Sequence, residues 1–114
     1  MCSVLKPKKD PYNALQAKSE AQKIAFAPIV FQDARSLRNL GILAALDKAG
    51  KTGLDAERIA EQTGVSAYGV KVLLDMAVSA HIVTWEKPNY SLANLGYFLL
   101  HDDMTRINMD FTAD

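Results

Sequence analysis

Ile59-Ala60-Glu61-Gln62-Thr63-Gly64-Val65-Ser66-Ala67-Tyr68-Gly69-Val70-Lys71-Val72-Leu73-Leu74 reads as two helices joined by a tight turn, and each landmark in it has its own physical reason. Ala60 is small where the helices cross, and Gly64 supplies a left-handed turn residue. Ser66 caps the second helix, expected over residues 67–80. Ile59, Val65, Val70 and Leu73 fill the wedge between the two. Asp55 opens the first helix as an N-cap, with Arg58 standing where a full capping box has Glu or Gln. This is the spacing of a helix-turn-helix, and it is not specific for DNA.

Beyond His81 the period changes. Ile82, Val83, Thr84 and Trp85 form strands readily, Lys87, Pro88 and Asn89 form turns, and Tyr90, Ser91 and Leu92 make a return strand. The result is a wing with Trp85 and Tyr90 on opposing strands. A short helix over residues 94–100 follows, carrying Leu95, Phe98 and Leu99, with Gly96 where strand and helix pack closely. Asp102 or Asp103 can cap a last helix whose apolar face is Met104, Ile107 and Phe111. That helix reaches Asp114 without a stop signal, so the native chain is expected to continue. Met104, Ile107 and Phe111 are then a surface to be covered, by a further domain or by a neighbouring subunit.

On the other side of the motif, residues 11–25 are rich in Ala, Gln, Lys and Glu and predict an amphipathic helix. Pro28 suits a new first helical turn, after which Val30, Ala34, Leu37 and Gly41 share one face, with Arg35 and Arg38 off that stripe. Gly41 bends the chain before a short helix bearing Ile42, Leu43 and Leu46, which Gly50 and Gly53 end. Ile24, Phe26, Ile29, Val30 and Phe31 cover more than one face of a helix. Two readings stay open: a fully buried central helix, or a helix buried on one side in its own domain and on the other in a second subunit. The second makes Phe26, Ile29, Val30 and Phe31 the candidate interface of a homodimer.

The expected fold is thus mainly α: a winged helix-turn-helix with extra N-terminal dimerisation helices and a small β-hairpin wing. The expected organisation is a flexible basic arm over 1–10, dimerising helices over 11–53, the winged helix over 54–100, and over 101–114 the start of a helix leading to a further C-terminal domain. Lys6, Lys8, Lys9, Lys18 and Lys23 make the first quarter mildly basic. A solvated arm is its ordinary meaning.

Composition narrows the function classes. The 114 residues carry 13 basic and 13 acidic groups, so no global field attracts nucleic acid or an anionic membrane. Within the helix-turn-helix, Arg58 and Lys71 face Asp55, Glu57, Glu61 and Asp75, and two against four leaves the motif at minus two. Ala67, Tyr68 and Gly69 offer little base readout where a recognition helix would begin. Nucleic acid is therefore not the expected partner. Lys87 on the wing and the basic arm keep one alternative open, a stand-alone winged-helix DNA-binding transcriptional regulator. Cys2 has no partner in the chain, and His81 and His101 form no ligand cluster with it, so no metal site is expected. No glycine-rich loop follows a strand, no Ser or Cys has a suitably spaced His, and Asp102 and Asp103 read as helix caps. No catalytic or cofactor-binding residue is assigned, and this chain alone is expected to be inactive. The start of the chain lacks a signal-peptide stretch and no apolar run is long enough to span a membrane, which predicts a cytoplasmic protein with no membrane partner.

The runs Phe31-Gln-Asp-Ala-Arg-Ser-Leu-Arg-Asn-Leu-Gly-Ile-Leu-Ala-Ala-Leu46, the helix-turn-helix quoted above, Tyr90-Ser-Leu and Gly96-Tyr-Phe-Leu-Leu100 occur in an order that resembles the N-terminal region of small-molecule S-adenosylmethionine-dependent methyltransferases of the O-methyltransferase type. The resemblance covers roughly residues 25–112. It implies a winged helix used for dimerisation that helps roof the acceptor pocket, followed in the parent protein by a Rossmann-like domain that binds S-adenosylmethionine. It further implies a small-molecule methyl acceptor and an S-adenosylmethionine cofactor for that parent, and none for these residues.

Overall fold

The structure is a computed structural model that describes residues 9–113, so Cys2, Lys6, Lys8 and most of the expected arm lie outside the described residues. The chain folds as six helices and one antiparallel hairpin among those residues: α1 Ala14–Asn39, α2 Ile42–Ala49, α3 Ala56–Thr63, α4 Ala67–Ser79, β1 Val83–Glu86, β2 Asn89–Leu92, α5 Asn94–His101 and α6 Asp103–Ala113. It is a mainly helical winged helix.

Helix α1 starts on a full capping box. The Gln16 amide donates to the Asn13 side chain at 2.8 Å, and the Asn13 amide donates back to Gln16 at 3.1 Å. It then runs unbroken for 26 residues with Pro28 inside it. The sequence led us to expect two helices, the second beginning at Pro28. Proline removes one helical hydrogen bond and crowds the carbonyl four residues back, so it is a frequent boundary but not an obligatory one. Here strong helix formers precede it, and beyond it Ala34 and Leu37 are buried in the core, anchoring the far half of the rod.

Gly41, at φ +85°, reverses the chain into α2, whose Ile42, Leu43 and Leu46 are fully buried. A short 3-10 turn, Gly50–Thr52, leads to Gly53 and Leu54; Leu54 exchanges two backbone hydrogen bonds with Tyr90, tying this connection to the wing. The helix-turn-helix follows. Asp55 accepts from the Arg58 amide at 2.8 Å, Gly64 ends α3 at φ +78°, and Ser66 accepts from the Gly69 amide at 3.0 Å. Ile59 and Val70 are buried between the helices, while Ala60, Val65 and Leu73 are half-buried against the same core, and Leu74 and Ala77 are the residues α4 sends deepest. The end of α4 is a Schellman arrangement: the His81 amide donates to Val78 and the Ile82 amide to Ala77. His81 occupies the left-handed position at φ +64°, where glycine is the usual occupant.

In the wing, Trp85 stands opposite Tyr90 and Val83 opposite Leu92. Tyr90 is buried and its hydroxyl donates to Asp75 at 3.0 Å, which fastens the hairpin to α4. Burial and that carboxylate push the Tyr90 phenol up to about 12. At Gly96 a Cβ would collide with the Ile82 carbonyl and the Leu92 side chain, so α5 crosses the hairpin at a distance only glycine allows. Asp102 accepts from the Thr105 hydroxyl at 2.7 Å and the Thr105 amide at 2.9 Å, capping α6, and these bonds hold its carboxyl below the usual carboxylate range.

Candidate functional site

The residues given function by the sequence lie on two surfaces. Every position from 14 to 29 except Glu20 is exposed, so the first half of α1 projects beyond the domain. At 1.5 Å per residue the whole helix is about 39 Å long, and it stretches a molecule of otherwise ordinary size to 52 × 30 × 23 Å. Leu15 is 79% exposed, Ile24 76%, Phe26 54% and Ile29 51%. Val30 and Phe31 are half-buried, with Phe31 packed against the core. Isolated apolar side chains on a surface are normal, but a run along one helix is not.

Between this projecting half and the body lies a groove of about 930 Å³. Phe26, Ala27, Val30 and Phe31 of α1 form one wall. Met76 and Ala80 at the end of α4, Ile82, and Leu95 and Leu99 of α5 form the other, with Met109 of α6 at the base. The schooling of these walls in the fold is indirect: the Schellman turn at His81 swings Ile82 back under α4, and the Gly96 contact presses α5 onto Ile82.

The second surface is the outer side of α5 and α6. Met104, Ile107 and Phe111 recur at helical spacing and are all exposed, as are Leu95, Tyr97 and Phe98. The inner side of α6 is docked. Met109 is buried, and Arg38 reaches across from α1 to pair with Asp110 at 2.6 Å. The sequence put Arg38 off the apolar stripe; in the structure its side chain is nearly enclosed and clasps α6. On the opposite edge of α5, His101 and Asp47 meet at 2.8 Å, and the Tyr97 ring leans on the imidazole.

The buried charge on α1 was not visible in the pattern. Asp33 is 6% exposed, one carboxylate oxygen has no hydrogen-bond partner, and burial pushes its pKa up to about 6. Its neighbours in sequence, Ala34 and Leu37, are core residues, so the only available signal was an acid within an apolar face.

Lys71 pairs with Asp75 at 3.0 Å, and this bond, together with that of Tyr90, holds the Asp75 carboxyl low. A second, polar cleft of about 590 Å³ lies between α2 and the wing, among Asp47, Lys51, Glu86, Lys87, Asn89 and Tyr97. Its charges balance in sign. Among the described residues no three His, Cys, Asp or Glu side chains converge as metal ligands, and no helix is long and apolar enough to cross a membrane.

Comparisons with known proteins agree with this geometry. The model of the Dimerisation2-like domain family matches residues 18–90, from the projecting half of α1 to the second strand of the wing. No curated protein sequence matches the chain. Among solved structures, the fold is similar to that of human N-acetylserotonin methyltransferase in complex with S-adenosylmethionine, with a TM-score of 0.63 and 24% identity over 86% of this chain. The match occupies 28% of that longer protein.

Proposed function

Because the chain belongs to the Dimerisation2-like domain family, we propose that it is a homodimer-forming domain, acting as the N-terminal, noncatalytic part of a small-molecule S-adenosylmethionine-dependent methyltransferase. The observation that carries the dimer is the projecting half of α1, whose apolar side chains the chain's own core leaves uncovered. Phe26, Ile29, Val30 and Phe31 supply the contact. The fold likeness to a methyltransferase whose chain is much longer supports the wider reading.

In that reading, the exposed side of α6, Met104, Ile107 and Phe111, meets a following catalytic domain that brings S-adenosylmethionine chemistry, and the winged helix helps cover the acceptor pocket. The clasp between Arg38 and Asp110 supports this by holding α6 rigidly against α1. The regulator alternative draws no support from α4, whose one basic residue, Lys71, pairs with Asp75.

Sedimentation at micromolar concentration tests the dimer. The wild-type chain is expected to behave as a dimer and Ile29→Asp as a folded monomer, whereas a monomeric wild type overturns the proposal. The coding sequence beyond Asp114 tests the parent: a glycine-rich strand-turn-helix supports a methyltransferase, and a stop codon overturns it.

A further inference from the structure

Helix α6 is docked by its less apolar side. From residue 103 to residue 112, Met109 is the one buried side chain, and Thr105 is the one other that is not exposed. Met104, Ile107 and Phe111 are each more than half exposed. At 3.6 residues per turn, Ile107 and Phe111 stand about 160° from Met109 around the helix and Met104 about 140°. The exposed three therefore form a stripe on the far side. Apolar burial alone would favour the opposite rotation, with three large side chains turned in and one turned out.

The interaction that opposes it comes from α1. Arg38 lies in the last turn of that helix, and its side chain is nearly enclosed, so its guanidinium has little freedom to follow a moving partner. Both of its contacts are with α6: Nη2 donates to Asp110 Oδ1 at 2.6 Å, and Nη1 points to the Met109 sulfur at 3.9 Å. A planar fork that reaches two adjacent residues fixes rotation as well as proximity. Any roll of α6 that carried Met104 inward would carry Asp110 away. Among the described residues no other polar side chain joins α6 to the rest of the domain. The Asp103–Arg106 pair and the Thr112 bond to Asn108 stay within the helix, and Asp102 caps it from the adjoining turn.

We propose that Arg38 is the positioning residue that decides which face α6 shows, keeping the stripe of Met104, Ile107 and Phe111 turned outward for a partner instead of folded back on its own domain. What the display serves rests on the reading of α6 given above. The orientation does not, and a stop codon after Asp114 would remove the first without touching the measurement that tests the second.

Two methionines on opposite sides of α6 report its rotation without any added probe. Peroxide converts exposed methionine to the sulfoxide, and mass spectrometry of peptides gives a rate for each site. In the wild-type chain Met104 is expected to react about tenfold or more faster than Met109. Asp110→Arg, at an exposed position that leaves the core untouched, is expected to lower that ratio about fivefold or more. The exchanged pair, Arg38→Glu with Asp110→Arg, is expected to restore it, which a merely space-filling role for Arg38 would not do. Circular dichroism and an unchanged rate at Met76 of α4 establish that the body of the domain is intact in each. An unchanged ratio in Asp110→Arg, or no recovery in the exchanged pair, overturns the proposal. So does a wild-type chain in which Met104 and Met109 react alike.

Discussion

Replacing Asp33 with asparagine should stabilise the domain above neutral pH and leave it unchanged in acid. Asp33 is buried with one oxygen unpartnered, and its pKa rises from 3.8 to about 6. Well below the unfolded value of 3.8 the group is protonated in both folded and unfolded chains and contributes no difference, and at pH 3.5 the difference is already small. Between about pH 4 and 6 the unfolded chain releases its proton while the folded one retains it, so stability falls as pH rises. Above the folded value the loss is complete. A rise of about two units corresponds to a ceiling of about 3 kcal/mol at about 1.4 kcal/mol per unit. Water penetration and local relaxation reduce this, and we expect about 1 to 2 kcal/mol. Urea unfolding of wild type and Asp33→Asn, at one protein concentration and at pH 3.5, 5, 6.5 and 8, measures the difference directly. The two should nearly coincide at pH 3.5 and diverge to a plateau by pH 8. A difference that is flat with pH, or an asparagine variant less stable at pH 8, would refute the argument that burial destabilises this carboxylate.

Three further changes test the turns and contacts that shape the groove. Gly64→Val should destabilise the fold by more than about 1 kcal/mol, because φ is +78° there and the surrounding space is open, so the cost is conformational; thermal melts decide it. His81→Gly should do the opposite, raising stability by up to about 1 kcal/mol by relieving the left-handed residue at the end of α4, and a loss of stability in urea would count against the Schellman assignment. Gly96→Ala should cost about 1 to 3 kcal/mol, since its methyl group meets a backbone carbonyl that cannot yield without moving α5, which chemical denaturation will report.

The helix-turn-helix and wing were legible because each rests on local chemistry. Asp55, Gly64 and Ser66 set backbone geometry within a turn of themselves, and the strand formers Ile82 to Trp85 and Tyr90 to Leu92, on either side of the turn formers Lys87, Pro88 and Asn89, set a hairpin. What escaped the sequence depends on residues far apart in the chain. Arg38 lies off the apolar stripe in the sequence, and only the fold brings Asp110 of α6 to it; nothing local to Asp33 marks it as a residue the fold buries. The continuity of α1 through Pro28 was missed because a local rule was outweighed by a long helix anchored at its far end. The excess of large apolar residues around Phe26 to Phe31 was legible, but the groove beside them was not. Its second wall comes from α4 and α5, and no one-dimensional pattern pairs those with α1.

The placement of Pro28 divides α1 into halves of different cooperativity. Beyond it, helical hydrogen bonds are sheltered by Ala34, Leu37 and the clasp to α6. Before it, the helix has its capping box and its own propensity but little tertiary cover, and the proline has removed one hydrogen bond from the junction. A stretch of about 15 residues is near the lower limit of helical stability in water when nothing packs on it. In the proposed dimer, the order of this half is therefore thermodynamically linked to association. Amide exchange in dilute solution should be slow from residue 31 onward and fast before residue 28, with the boundary moving toward Asn13 as protein concentration rises.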